Sequence, residues 1–253
     1  MRFARSWGNG NMDKPKRQQY YKVLGKNRMP CHGGEGQWPS PRTWHEVGGE
    51  LIPCQNGLHV VTKGHLVEWL GEEIWKVEVD KNEMVVCEDK IVVRRARLVK
   101  RLRNWNARTA RLFAADCAET ALKFLPKAQR DVCQETLRVV RWFARGKATK
   151  EELAAARAAA RAAVRATWAA AEVAARTAAE AAAEAAEVDS TMAMMVAAAK
   201  KATRAAVYAA GIAAEEASGV TARVAVEEAV VAAQTKRLFF YLNKKPQRRK
   251  VVR

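Results

Sequence analysis

The chain has 253 residues and a formal charge of +18, with 45 lysines and arginines against 27 acids. Its hydrophobic fraction of 49% is largely alanine in the second half, which predicts a thin, closely spaced core there. No charge-free run reaches the ~18 apolar residues of a membrane span, and residues 1–29 lack the apolar stretch of a signal peptide.

Read in chain order, residues 1–19 form a polar, basic arm. Tyr20 to Leu24 is the first strand candidate. From Gly25 to Gly57 the chain is dense in turn formers, among them Cys31-His32-Gly33-Gly34, Trp38-Pro39-Ser40-Pro41 and Gln55-Asn56-Gly57. Short strands fit at 50–53 and 58–61, followed by a short helix over 63–70 closed by Gly71. Residues 74–79 alternate apolar and polar, as a half-buried strand does. Another strand is expected over 83–87. A single last strand should begin at Lys90 and run out near Arg101.

The period then becomes helical. One helix is expected over 106–125, stopped by Pro126. A second runs over 128–145, with Gly146 at its C-terminal cap. Thr149 and Glu152 form a capping box that opens the alanine-rich tract. One helix spanning that tract of about 38 residues would be about 57 Å long, so a break is expected, with a restart at 189–191. Two further helices should cover 191–217 and 221–242. Alanine, arginine, lysine and glutamate all favour helix. The predicted class is α+β: a small β-rich domain over 20–103, then an all-α, alanine-rich antiparallel bundle over 104–243, ending in a basic tail at 244–253.

The charge is clustered. Residues 1–28 hold eight basic residues against one acid. Residues 236–253 hold eight and no acid, as do residues 94–111. Such runs favour a polyanion, nucleic acid first. The candidate backbone-contacting residues are Arg94, Arg95, Arg97, Lys100, Arg101, Arg103 and Arg108 at the joint between the two parts. Lys244, Lys245, Arg248, Arg249 and Lys250 are candidates in the tail. Trp105 within the joint is expected to be a core anchor more than a base-stacking platform, with the arginines around it mostly exposed. The alternative for those arginines is pairing with acids of the alanine helices.

All four histidines (His32, His45, His59 and His65) lie in the first part with Cys31, Cys54 and Cys87. They lack the paired spacing of a zinc site, so no metal and no cofactor is expected. Cys54 with His59 or His32 lacks an orienting third group for nucleophilic catalysis. Gly33-Gly34-Glu35-Gly36 lacks the Gly-Lys-Ser/Thr ending of a phosphate loop. No catalytic residues are assigned, and an enzyme of the N-terminal domain ranks third among the readings. Five cysteines with no close pair fit free thiols in a reducing compartment.

The run Tyr21-Lys22-Val23-Leu24, Cys31-His32-Gly33-Gly34, Trp44, Val47, Glu50-Leu51, Pro53-Cys54, Gly57-Leu58-His59-Val60 and Trp69-Leu70 resembles an uncharacterised domain of phage and actinobacterial proteins. Asp116-Cys117-Ala118-Glu119, followed by Arg145-Gly146-Lys147 and the capping box, resembles an immunity-protein-like helical domain. The likeness covers about residues 20–235 and implies a phage or mobile-element protein, cytoplasmic in a host bacterium or virion-associated. The leading expectation is a nonspecific nucleic-acid-binding or packaging accessory protein, alone or as one subunit of a larger assembly. The alternative is an immunity-like or anti-defence protein that blocks a host or toxin protein. Self-association would suit the thin alanine core.

Overall fold

The computed structural model describes residues 18–125, 127–168, 191–218 and 220–244. The fold is α+β, with antiparallel sheets first and helices after. Seven strands come in order: β1 (Tyr20–Leu24), β2 (Trp44–Glu46), β3 (Leu58–Val60), β4 (Glu73–Val79), β5 (Met84–Val86), β6 (Ile91–Val93) and β7 (Arg95–Arg101). They form a four-stranded sheet in the order β1-β4-β7-β2 and a three-stranded sheet in the order β3-β6-β5, with every pairing antiparallel. The helices are α1 (Ala107–Ala121), α2 (Lys127–Ala144), α3 (Lys150–Trp168), α4 (Met192–Ser218) and α5 (Val220–Asn243). They make the alanine-rich antiparallel bundle that the composition predicts.

Strand periodicity sorts the first part into two cores. Successive side chains on a strand point to opposite faces. Tyr20 and Leu24 therefore join Trp38, Trp75 and Val77 between the sheets. Tyr21 and Val23 turn the other way and join Ile74, Phe113, Met195 and Leu238 in a cluster that runs into the helices. The chain passes from β7 to α1 at residues 102–106. Leu102 and Trp105 in that passage are both buried in the same cluster, so strands and helices share one apolar interior.

The structure departs from the predicted elements in four places. The strand expected from Lys90 to Arg101 is two strands in two different sheets, broken at Arg94. There the side chain donates to Val47 O at 2.9 Å and to Glu83 Oε2 at 2.6 Å. Residues 63–70 form turns rather than a helix, held by Glu68 N to His65 O and Trp69 N to Leu66 O. So short a segment is too small to offset helix nucleation. It is fixed instead by fully buried Leu66 and Leu70, worth about 1.5–3 kcal/mol each. Residues 50–53 contribute only an isolated bridge between Ile52 and Asn56, and β2 falls in a stretch that reads from sequence as turns.

The local signals at the helix ends agree with the structure. Thr149 Oγ1 accepts from Glu152 N at 3.2 Å while Glu152 Oε2 accepts from Thr149 N at 2.7 Å, the reciprocal capping box at the start of α3. Gly146 has φ +71°. Its N–H donates to Phe143 O and that of Lys147 to Trp142 O, both at 2.9 Å, which closes α2 as a Schellman motif. Within the expected restart at 189–191, residues 189 and 190 lie outside the described residues. Thr191 Oγ1 caps α4 by accepting from Met194 N at 3.3 Å.

Candidate nucleic-acid interface

The arginines of β7 are set by strand register. Glu46 lies opposite Arg95, and Glu78 opposite Arg97. Each pair closes across the sheet: Arg95 to Glu46 at 3.4 Å and Arg97 to Glu78 at 2.7 Å. Arg94 pairs with Glu83 at 2.6 Å, and Arg101 with the buried Glu73 at 3.0 Å. Glu73 also accepts from Trp75 Nε1 at 2.9 Å. The Arg95 and Arg97 guanidinium groups each stack on the Trp44 ring, 4.6 Å from its centroid. These arginines are thus partnered by acids of the sheet, not of the alanine helices, and Arg94, Arg95 and Arg97 are only partly exposed. Arg111 is buried in α1, over the Phe143 ring.

The remaining cations are different. Lys100, Arg103 and Arg108 line the joint and, among the described residues, make no ion pair. Lys100 and Arg103 border a groove of about 1140 Å³ with Arg28, Lys76, Arg101 and Lys244. Among the described residues, its carboxylates are Glu72 and Glu73, the second already paired with Arg101. The N-terminal end of α1 borders the groove at Asn106 and Ala107, adding the positive end of a helix dipole. Asn106 Oδ1 accepts from Thr109 N at 3.2 Å and so fixes that end.

Lys244 reaches the groove because Asn104 holds the end of α5 there. The Asn104 side-chain amide donates to Leu242 O at 3.0 Å and to Lys244 O at 2.6 Å. The basic sequence that follows, with Lys245, Arg248, Arg249 and Lys250, lies outside the described residues. Trp105 is not available to stack on a base. It is 2% exposed, and its Nε1 donates to Gly71 O at 2.7 Å. Gly71 has to be glycine for close packing, since a Cβ there would fall 2.4 Å from Val23 and 2.9 Å from Cys31 Sγ.

The histidines and cysteines gather elsewhere. A small cavity between β1 and the 63–70 turns is lined by Lys22, Cys31, His32, His59, Trp69 and Lys90 among others. Cys54 does not line it. Its N–H donates to His59 Nε2 at 3.3 Å, which places the ring proton on Nδ1. His45 meets the Trp38 ring edge-on, 5.0 Å between centroids. His65 pairs with Glu68 at 3.3 Å. Burial holds His32, His45 and His59 below the usual histidine range, with Lys200 adding to the effect at His32 and Lys22 at His45 and His59. Among the described residues, no three His, Cys, Asp or Glu side chains group as metal ligands.

Sequence reasoning missed Lys22 and Lys76. The signal for Lys22 was its place in the middle of Tyr20-Tyr21-Lys22-Val23-Leu24, a lone charge inside an apolar strand. No helix among the described residues is long and apolar enough to cross a membrane. The fold and site define an α+β protein with a basic groove where sheet meets bundle. No protein-family model, no curated protein and no solved structure matches the chain.

Proposed function

We propose that this protein binds nucleic acid without sequence preference, gripping the phosphate backbone in the groove between β7 and the end of α5. The observation that carries the reading is the set of cations Lys76, Lys100 and Arg103, which have no ion pair among the described residues and share one groove with Lys244. Cations so placed exchange condensed counterions for phosphate contacts, so binding weakens steeply with salt. Lysines, arginines and asparagines line the groove beside Glu72, Glu73 and apolar residues such as Val99 and Leu242, and its two tryptophans, Trp75 and Trp105, are buried, which favours backbone contact over base reading. Arg94, Arg95 and Arg97 have acid partners, so the proposed interface centres on Lys76, Lys100, Arg103 and Lys244 of the groove, with the exposed Arg108 in the adjoining first turn of α1. A packaging role within a phage or mobile element is the biological setting that the family resemblance suggests.

The test is fluorescence anisotropy with labelled single- and double-stranded oligonucleotides across a salt series. Replacing Lys100, Arg103 and Arg108 with serine should weaken binding to all sequences alike. It should also reduce the slope of log K against log salt by about 2–3 on duplex DNA, close to one for each phosphate no longer neutralised. An unchanged affinity and slope in that triple variant overturns the reading. Serine at Arg95 and Arg97 is the control, expected to loosen the sheet while leaving the slope alone.

A further inference from the structure

The nucleic-acid reading leaves unused the most unusual side chain in the sheet. Lys22 sits in the middle of β1 and donates from Nζ to His59 O at 2.8 Å. Its ammonium lies 4.9 Å from the Trp38 ring centroid. No carboxylate pairs with it among the described residues. Beside it lies the cavity lined by Cys31, His32, His59 and Trp69, about 40 Å³ in volume. One water needs roughly 10–15 Å³ by such a measure, so about three water-sized groups fit. The cavity adjoins an open groove of about 700 Å³, which shares His32 and Trp69 with it and adds Lys200 and Arg204. Lys200 Nζ stands 3.5 Å from His32 Nε2, and neither Lys200 nor Arg204 has an ion pair among the described residues.

We propose that this pocket is a carbonyl-binding site, in which the Lys22 amine condenses with a small aldehyde or 2-oxo acid whose carboxylate is held by Lys200 and Arg204. The inner cavity has room for the carbonyl carbon and its oxygen; at the mouth Glu68, Asp89 and Glu227 are already paired with His65, Lys90 and Arg223, which leaves Lys200 and Arg204 to meet an anionic tail. A lysine desolvated by burial is one usual form of an imine-forming amine. Burial here lowers the Lys22 pKa to about 8, so a usable share of the amine is neutral near pH 7. The neutral amine's lone pair adds to the carbonyl carbon, and the C=O π pair moves to oxygen. That oxygen takes one proton from the nitrogen to give a carbinolamine. Loss of the hydroxyl with the second nitrogen proton releases one water and leaves a C=N bond, with no oxidant or reductant consumed. His32 Nε2 is 3.2 Å from both Trp69 O and Leu70 O. This keeps its proton on Nε2 and leaves Nδ1 free to accept one.

The test uses the full chain with glyoxylate at pH 7.0 and sodium cyanoborohydride, which reduces an imine to a stable carboxymethyl-lysine. Peptide mass mapping then gives the rate at each lysine. With a pKa of about 8 for Lys22 against about 10.4 for an ordinary lysine, the neutral fractions differ by a factor on the order of 100. Lys22 is therefore expected to react at least tenfold faster than exposed Lys81 and Lys236. Equal rates at the three positions overturn the proposal. Acetaldehyde separates the two halves of the claim. Lys200→Ala should slow glyoxylate at Lys22 severalfold and leave acetaldehyde unchanged. A loss of both, or of neither, overturns the assignment of Lys200 as the carboxylate clamp. Near-UV circular dichroism of Lys200→Ala verifies that the fold is intact, and Lys22→Met should abolish the fast-reacting site.

Discussion

Tyr241 donates its hydroxyl to Asp116 Oδ2 at 2.5 Å, joining α5 to α1 across most of the helical region. Arg237 Nε donates to the same oxygen at 2.5 Å, and Arg141 Nη2 reaches Oδ1 at 3.0 Å. One carboxylate, only 9% exposed, thereby clamps α1, α2 and α5. Burial and then the Asp116 carboxylate push the Tyr241 hydroxyl well above the usual phenol range, so it stays a donor at any physiological pH. Asp116→Asn should cost about 2–3 kcal/mol, because it weakens the charge-assisted hydrogen bonds from Tyr241, Arg237 and Arg141 together, while Arg141 keeps Glu119 Oε2 at 2.7 Å as a counter-charge. Tyr241→Phe should cost about 2 kcal/mol, the value of a hydrogen bond to a charged group. Urea unfolding of both single variants and the double variant checks this. The shared oxygen predicts a double-variant loss smaller than the sum of the two.

Trp105 ties the joint between strands and helices to Gly71. Its ring packs edge-on against Phe113 with centroids 6.0 Å apart, and its indole N–H satisfies a buried carbonyl. Trp105→Phe keeps much of the ring but orphans Gly71 O, at a cost of about 1–3 kcal/mol. Trp105→Ala should cost about 3–5 kcal/mol. Denaturant midpoints measure both. Nucleic-acid affinity should survive Trp105→Phe, since the side chain is buried beneath the groove rather than presented to it.

Protonation linked to folding sets the pH dependence of stability. Burial holds His32, His45 and His59 below their ordinary 6.5. Between those depressed values and 6.5 the unfolded chain binds more protons than the folded one, so stability rises with pH through that window and falls on acidification. Lys22 acts with the same sign on the alkaline side. Its pKa drops from 10.5 to about 8, so the cost of burying its charge is present in full below about pH 8 and is relieved between there and 10.5. The melting temperature should therefore fall as pH drops from 7 to 5, and His32→Gln should flatten that fall. Lys22→Met should remove the rise above pH 8.

The parts of the fold legible in the sequence are those set by near neighbours. Tyr20-Tyr21-Lys22-Val23-Leu24 is an apolar run bounded by polar residues and Gly25, and it became β1 with those bounds. Thr149 and Glu152 are three residues apart and cap each other whatever lies beyond them. Gly146 tolerates its positive φ by lacking a side chain. What was not legible depends on distant partners. The break at Arg94 requires Val47 O and Glu83 to stand ready. Arg97 is neutralised because register sets it against Glu78, a pairing that composition cannot reveal. The groove and the Lys22 cavity are assembled from segments tens of residues apart. From the sequence the basic run over 94–111 reads as one patch, and the fold divides it into cross-strand ties and open cations.

The apolar cluster that Tyr21, Val23 and Ile74 share with Phe113, Met195 and Leu238 restricts how such a gene can change by recombination. Neither half is a portable cassette. Strands grafted onto a foreign chain would arrive with an oily face uncovered, and the bundle alone would lack the floor beneath α1 and α4. Sheet and bundle should therefore melt together, in one transition seen alike by far-UV and near-UV circular dichroism.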